Sequence, residues 1–159
     1  MDPNGIGFGN LSIRHGTTND FYISASATGG IPKLTLTDYA KVVAYDFARN
    51  WLRCEGSALA SSESLTHAAV YESEAQAGAV IHGHNSKLWT ALLGRTPTTS
   101  KTVEYGTPEM AYEVRRLFQN TEVKSRKIFV MAGHEGGIVT FGKNLEEAFA
   151  VLEQAIGNE

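Results

Sequence analysis

The stretch Ala79-Val80-Ile81-His82-Gly83-His84 places two histidines directly behind a short apolar run. Such a run predicts a buried β-strand, and alternation along a strand then turns His82 and His84 to the same face. A second apolar run, Ile128-Phe129-Val130-Met131, is followed closely by the glycine-flanked His134. One histidine at a strand end would simply be a polar residue that ends the strand. A spaced pair with a third favours a divalent-metal site that keeps a coordination position open.

The chain contains five histidines, and the other two are expected to have other roles. His67 lies in a helical stretch, on the side that should face the core, so a buried and hydrogen-bonded role is expected. His15 lies in a turn and is expected at the surface. Three neutral imidazoles and a water molecule would suit zinc in a catalytic site.

Length and charge restrict the class of protein. A chain of 159 residues suits one domain, spanning 1–159, that is large enough to bury a core. The net charge of -3 gives no reason to expect nucleic acid or an anionic membrane as a partner. Neither a signal peptide nor an apolar run of membrane-spanning length is visible, which predicts a soluble cytoplasmic protein. The single cysteine, Cys54, is expected to be a packed small residue.

Periodicity and turn residues predict a succession of strands and helices. Two short strands around Leu11–Ile13 and Phe21–Ile23 should form a hairpin, and helical spacing from Thr37 to Trp51 predicts the first helix. The other expected elements are a helix from Ser61, the strand 79–84, a short helix at 88–93, a helix at 107–118, strands at 127–132 and 137–141, and a helix at 144–156. The link between the last two strands is too short for a parallel crossover. One α/β domain with a mixed or antiparallel sheet follows.

A carboxylate stands near the predicted start of the second helix, in Ser61-Ser62-Glu63. Glu63 alone would be an ordinary residue that complements the helix dipole. Beside a metal it could move protons on and off carbon. Ser61 and Ser62, with the free amides of that helix end, could hold an anion such as phosphate.

The glycine-rich segment Gly5-Ile6-Gly7-Phe8-Gly9-Asn10 is not a dinucleotide fingerprint, since it lacks the G-x-G-x-x-G spacing and a preceding strand. Gly9 and Asn10 could still form a tight turn that offers amides to an anion. Ser24 and Ser26 could serve similarly, and a solvated loop is an equally fair interpretation for them.

Taken together, these segments resemble the class II aldolase/adducin family. The matching pieces, in the family's order, are Gly9–Arg14, Ile23–Ser26, Ser61–Glu63 with His67, Ala79–His84, Tyr105–Ala111, Gly133–Gly137 and Asn144–Ala148. They cover nearly the entire chain, and the ordered set is specific although each piece alone is weak.

The resemblance implies a three-layer α/β/α fold around a mixed, largely antiparallel sheet, commonly assembled as a homotetramer. It also implies zinc, or another divalent ion, on His82, His84 and His134, with Glu63 as the proton-transferring residue. The substrate-phosphate pocket implied by the same match comprises Gly9, Asn10, Ser61 and Ser62, together with Ser24 and Ser26.

The function implied is that of a metal-dependent lyase of aldolase type. It would cleave a small phosphorylated sugar or hydroxy-carbonyl compound through a metal-stabilised enediolate. Epimerisation, dehydration and decarboxylation on the same scaffold stay open, because all exploit charge stabilisation beside a carbonyl. A non-catalytic, adducin-like interaction module is the alternative from another class, but such a module has no need of three metal-ligating histidines and Glu63.

Overall fold

A seven-stranded antiparallel sheet organises the protein, in a computed structural model that describes residues 9–157. The strands are β1 (Asn10–Arg14), β2 (Phe21–Ser24), β3 (Tyr39–Asp46), β4 (Trp51–Glu55), β5 (Ala79–His84), β6 (Ile128–Val130) and β7 (Gly137–Gly142). The helices are α1 (Ser64–Ser73), α2 (Ser86–Leu92), α3 (Pro108–Asn120), α4 (Val123–Arg126) and α5 (Leu145–Gly157). The strand order is β4-β3-β2-β1-β5-β7-β6, which places β5 between β1 and β7.

Helices cover both faces of this sheet. Strand β7 shows the division, since Val139 and Phe141 join the core beneath α1 and α3, whereas Ile138 packs with α2 and α5 on the opposite face. The layers are therefore α/β/α, as expected. An isolated parallel bridge between Thr98 and Val130 adds the mixed character to an otherwise antiparallel sheet.

The helix predicted from Thr37 to Trp51 is wrong. A single 3₁₀ turn at Leu36–Asp38 leads into β3, and β4 begins at Trp51. The pairing of β3 with β4 shifts register between Val42 and Ala44. A bulge of this kind inserts one residue and interrupts the period-two alternation, so the apolar spacing resembles that of a helix.

The other predicted elements are confirmed with small shifts at their ends. The hairpin of β1 and β2 forms as expected. Helix α3 begins as its sequence suggests, with the Thr107 hydroxyl accepting from the Met110 amide and Pro108 in the first turn. Helix α1 begins at Ser64, three residues later than predicted, which leaves Glu63 at the N-cap position without a side-chain capping bond.

Within residues 9–157, no helix is long and apolar enough to cross a membrane. Cys54 is partly buried and packs against the main core. The segment Gly5–Phe8, weighed above as part of a nucleotide loop, lies outside the described residues.

Candidate metal centre

Three imidazoles meet at one end of the central strands. Strand β5 directs His82 and His84 to the α1/α3 face, and their Nε2 atoms are 3.0 Å apart. His134 approaches from the turn before β7, with its ring centroid 5.2 Å from that of His82 and 4.4 Å from that of His84. One ring nitrogen from each histidine lies within 4.8 Å of the others. The structure thus brings together the three histidines that the sequence singled out.

A tight turn fixes His134. The His134 amide donates to the Met131 carbonyl at 3.1 Å, and the Gly137 amide donates to the His134 carbonyl at 2.8 Å. Gly136 has φ +78°, a left-handed conformation that glycine adopts without strain. The Tyr105 ring stacks on the His134 imidazole with centroids 4.2 Å apart. The orientation of this imidazole is therefore set from both the backbone and the ring face.

The Glu63 carboxylate lies against two of these histidines and is 6% exposed. Its Oε2 is 3.1 Å from His82 Nε2 and accepts from Asn10 Nδ2 at 2.9 Å, and its Oε1 is 3.3 Å from His134 Nδ1. Burial alone would raise the pKa of Glu63, but His134, His82 and Asn10 stabilise the charged form and hold the pKa well below its usual range. Glu63 is thus a buried carboxylate that stays ionised.

The donor set fits a divalent cation. Glu63 Oε1 and His134 Nδ1 lie 3.3 Å apart, are buried and have no hydrogen-bond partner among residues 9–157, a costly arrangement for polar atoms. Burial, together with repulsion from the imidazoles of His82 and His134, lowers the pKa of His84 to about 4, which keeps it in the neutral, metal-binding form. Zinc–nitrogen bonds of about 2.0–2.1 Å place ligand nitrogens roughly 3.3 Å apart in a tetrahedron, close to the observed His82–His84 spacing.

Strand β1 reaches this site only because Gly9 has no side chain. Asn10 pairs with His82 across the β1–β5 ladder, and a Cβ at Gly9 would collide with the His82 carbonyl oxygen. The close approach of the two strands brings the Asn10 amide to Glu63. The role that the structure gives Gly9 is to let strand β1 pack closely against β5, independently of any contact made by the Gly9 amide.

The predicted anion-binding residues separate into two groups. A cavity of about 300 Å³ is lined by Gly9, Asn10, Ser26, Ser61 and Ser62, and also by Glu63, His84 and His134. Ser24 is not among its lining residues, since its buried hydroxyl accepts a hydrogen bond from the Leu11 amide at 3.1 Å. Ser61 is also buried, with its hydroxyl bound to the Glu63 amide, whereas Ser62 and Ser26 are exposed.

Sequence reasoning did not single out Tyr105 as a site residue. It stood only within the stretch Tyr105–Ala111 that carries the resemblance, yet it is half exposed, lines the same cavity and stacks on His134. The only signal in the sequence was an aromatic residue beside Gly106 in a loop that precedes a helix. That signal does not indicate which residue the ring contacts.

The two remaining histidines lie where they were expected. His15 is exposed, and His67 is fully buried and hydrogen-bonded to Ser12 and Asn10. Burial lowers the pKa of His67 to about 3. The native state therefore holds His67 neutral at a pH where an unfolded chain would already bind a proton on it.

The free energy of unfolding of the metal-free protein should fall as the pH drops from about 6.5 towards 3. As the pH falls below 6.5, His67 becomes protonated in the unfolded state but stays neutral in the native state. The contribution of His67 to the free energy of unfolding is therefore complete above pH 6.5 and decreases progressively below it. His67 should account for about 2.5 kcal/mol between pH 7 and 4.5. Urea unfolding at both pH values measures this. His67→Gln should show a smaller pH dependence than wild type, and His15→Gln should not. Equal slopes in all three proteins would contradict the assignment.

Comparison with known proteins supports the fold. Residues 4–156 match the model of the class II aldolase and adducin N-terminal domain. Among curated proteins, no sequence matches significantly.

Several solved structures share the architecture. An L-fuculose 1-phosphate aldolase superposes with a TM-score of 0.71 at 22% identity, over 92% of this chain and 70% of the other. YgbL from Escherichia coli, a candidate aldolase/epimerase/decarboxylase, gives a TM-score of 0.68 at 20% identity, over 92% and 73%. The L-fuculose-1-phosphate aldolase from Thermus thermophilus gives 0.60 at 22% identity, over 93% and 74%. At these identities the likeness is one of fold, and the family match covers almost the entire sequence. The chain belongs to the class II aldolase and adducin family.

Proposed function

We propose that this protein is a zinc-dependent, or other divalent-metal-dependent, lyase of aldolase type that cleaves a small phosphorylated sugar. The observation that carries the proposal is the convergence of three imidazoles and one ionised carboxylate at a single cavity. His82, His84 and His134 would hold the metal. Burial of an ionised carboxylate lowers the stability of the folded protein. A non-catalytic module would gain nothing from that loss of stability, whereas a metal-dependent enzyme uses the carboxylate.

Bound there, a divalent cation supplies positive charge that offsets the negative charge developing on oxygen beside a carbonyl. Glu63 performs the proton transfer. In retro-aldol cleavage, the hydroxyl on the carbon that becomes the aldehyde would give its proton to Glu63. The bond between the two substrate carbons breaks, and its electron pair passes to the carbonyl side, which forms an enediolate. Glu63 then delivers a proton to the carbon that lost its partner, and it removes that proton in the reverse direction. Glu63 is ionised and held in a fixed position, so its carboxylate is free to accept a proton and return it within one cycle.

The anionic end of the substrate would lie at the serine-lined part of the cavity. Ser26 and Ser62 expose hydroxyl groups there, and Gly9 and Ser61 lie close by. Of the described residues that line this cavity, none is lysine or arginine. Neutral hydroxyl and amide donors would therefore bind the phosphate, as they do at helix N-termini. Ser24, whose hydroxyl serves the Leu11 amide, would support the β1–β2 hairpin beside this pocket.

The assembly proposed is a homo-oligomer, with a tetramer as the first candidate, in a cytoplasmic protein of one domain. The cavity is open to solvent, and the half-exposed Tyr105 is among its lining residues. A neighbouring subunit could cover the cavity and exclude water from the reacting carbons.

A zinc-loaded screen of phosphorylated sugars tests the function. Ketose 1-phosphates should release dihydroxyacetone phosphate and an aldehyde, which coupled reduction measures, and the unphosphorylated ketoses should react far more slowly. Sugar acids and four-carbon to six-carbon hydroxy acids form a parallel arm, because the resemblance to YgbL brings epimerisation and decarboxylation within range. Carbonyl release from the carboxylated arm alone would overturn the phosphate assignment. If the protein bound no zinc and acted on neither class of substrate, the proposal that it is a metal-dependent enzyme would be overturned.

A further inference from the structure

A buried chain of polar groups leads away from Glu63 into the core, and the proposed reaction makes no use of it. Its members beyond Asn10 are almost fully buried, with His67 and Ser12 at 0% exposed and Tyr71 at 1%. Asn10 Oδ1 is 2.5 Å from His67 Nε2. Ser12 Oγ is 2.7 Å from His67 Nδ1 and 2.7 Å from the Tyr71 hydroxyl. The groups link strand β1 to helix α1 behind the site.

The direction of each hydrogen bond follows from Glu63. An ionised carboxylate only accepts, so the Asn10 amide nitrogen must face it and the Asn10 carbonyl must face His67. That carbonyl needs a donor, which places the proton of the neutral His67 ring on Nε2. His67 Nδ1 is then bare and accepts the Ser12 hydroxyl proton, and Ser12 Oγ in turn accepts from Tyr71. Each hydrogen bond of this series is therefore donated in the direction of Glu63.

We propose that Tyr71, Ser12, His67 and Asn10 form a hydrogen-bond relay that positions the Glu63 carboxylate, in addition to any contact that Asn10 makes with the substrate. The relay gives His67 and Ser12 a function beyond packing. It rests on the proposed function of Glu63 as the proton-transferring group. The residues of the relay are positioning residues, since none beyond Asn10 lines the cavity.

Burial makes such a relay effective. Aligned hydrogen bonds polarise one another, and a low-dielectric interior strengthens each bond. The network ties Oε2 to strand β1 through Asn10, while Oε1 stays without a hydrogen bond and points towards His134. One carboxylate oxygen is thus fixed and the other stays available for a proton. Asn10 has its carbonyl and one amide hydrogen committed to the relay.

The tautomer of His67 tests the relay without any substrate. Long-range ¹H–¹⁵N spectra of the wild-type protein, metal-free and zinc-loaded, should show the Nε2–H form of His67 in both states. The Ser12→Ala variant should shift the His67 resonances and the Asn10 side-chain amide. Thr140→Val is the matched control, because it removes a buried hydrogen bond to the Ala148 carbonyl on the opposite face of the sheet. An Nδ1–H tautomer in wild type would overturn the relay whatever the protein catalyses.

Kinetics test whether His67, which does not line the cavity, affects the rate of proton transfer. The probe is solvent-deuterium exchange into dihydroxyacetone phosphate by the zinc-loaded protein. His67→Leu should lower kcat about 10-fold with KM little changed, in line with losses seen when partners of site ligands are removed. His67→Gln, which keeps a donor towards Asn10, should recover part of that loss, and Thr140→Val should match wild type.

The two ideas fail in different ways. An unchanged kcat in His67→Leu would overturn the relay, because His67 does not line the cavity and can act only through Asn10. Absence of exchange in zinc-loaded wild type would overturn the proposed function. In that case the relay is judged by the His67 tautomer and by its response to Ser12→Ala.

Discussion

Replacement of His84 by alanine should abolish tight zinc binding and leave the fold intact. The imidazole Nε2 lies 3.0 Å from that of His82 and near the ring of His134, so its loss leaves two histidines to hold the ion. Affinity should fall by more than about 100-fold, since loss of a mere supporting partner costs 10–100-fold. Because His84 is only partly buried at the end of β5, the substitution opens no cavity in the core. Metal content after dialysis and competition with a chelator measure the change.

His15→Ala is the matched control for this experiment. It removes an imidazole from an exposed turn. Among the described residues, the one aromatic ring that contacts His15 is that of Tyr22. Zinc binding should equal that of wild type. If His84→Ala kept wild-type affinity, the three histidines would not share one ion, and the lyase proposal would lose its basis.

The three histidines were predictable because local rules determine where they point. Alternation along a strand sets His82 and His84 on one face, and the short glycine-containing turn forces β7 to return antiparallel beside β6. The register then fixes the rest, since His84 pairs with Gly137 across β5 and β7 and so meets the turn that carries His134.

Contacts between distant segments were beyond local rules. The stack of Tyr105 on His134 and the bond of Ser12 to His67 join residues whose proximity depends on the packed sheet and helices. The strands β3 and β4 were missed for a local reason, since the bulge between Val42 and Ala44 hides strand periodicity. The burial of His67 was predicted from its helical face, but its partners were not.

Glu63→Gln should abolish proton exchange on a bound ketone while zinc and fold are retained. Removal of a group that transfers protons lowers the rate by about 10²–10⁴-fold. The amide fits the same space, because its oxygen can accept from Asn10 where Oε2 does now, and its nitrogen can face the unpartnered Nδ1 of His134. Deuterium incorporation into dihydroxyacetone phosphate, together with zinc content and circular dichroism, gives the measurement.

Glu135→Gln is the control for the loss of charge, because Glu135 is exposed and follows His134 directly in the same turn. It removes the same negative charge close to the site but none of the contacts that Glu63 makes with His82 and Asn10. Exchange should therefore continue at the wild-type rate. Equal losses in both variants would mean that the net negative charge near the site, and not the Glu63 carboxylate itself, determines the rate. Undiminished exchange in Glu63→Gln would mean that another group transfers the proton. A loss confined to position 63 is the result that a carboxylate held by Asn10 between two imidazoles requires.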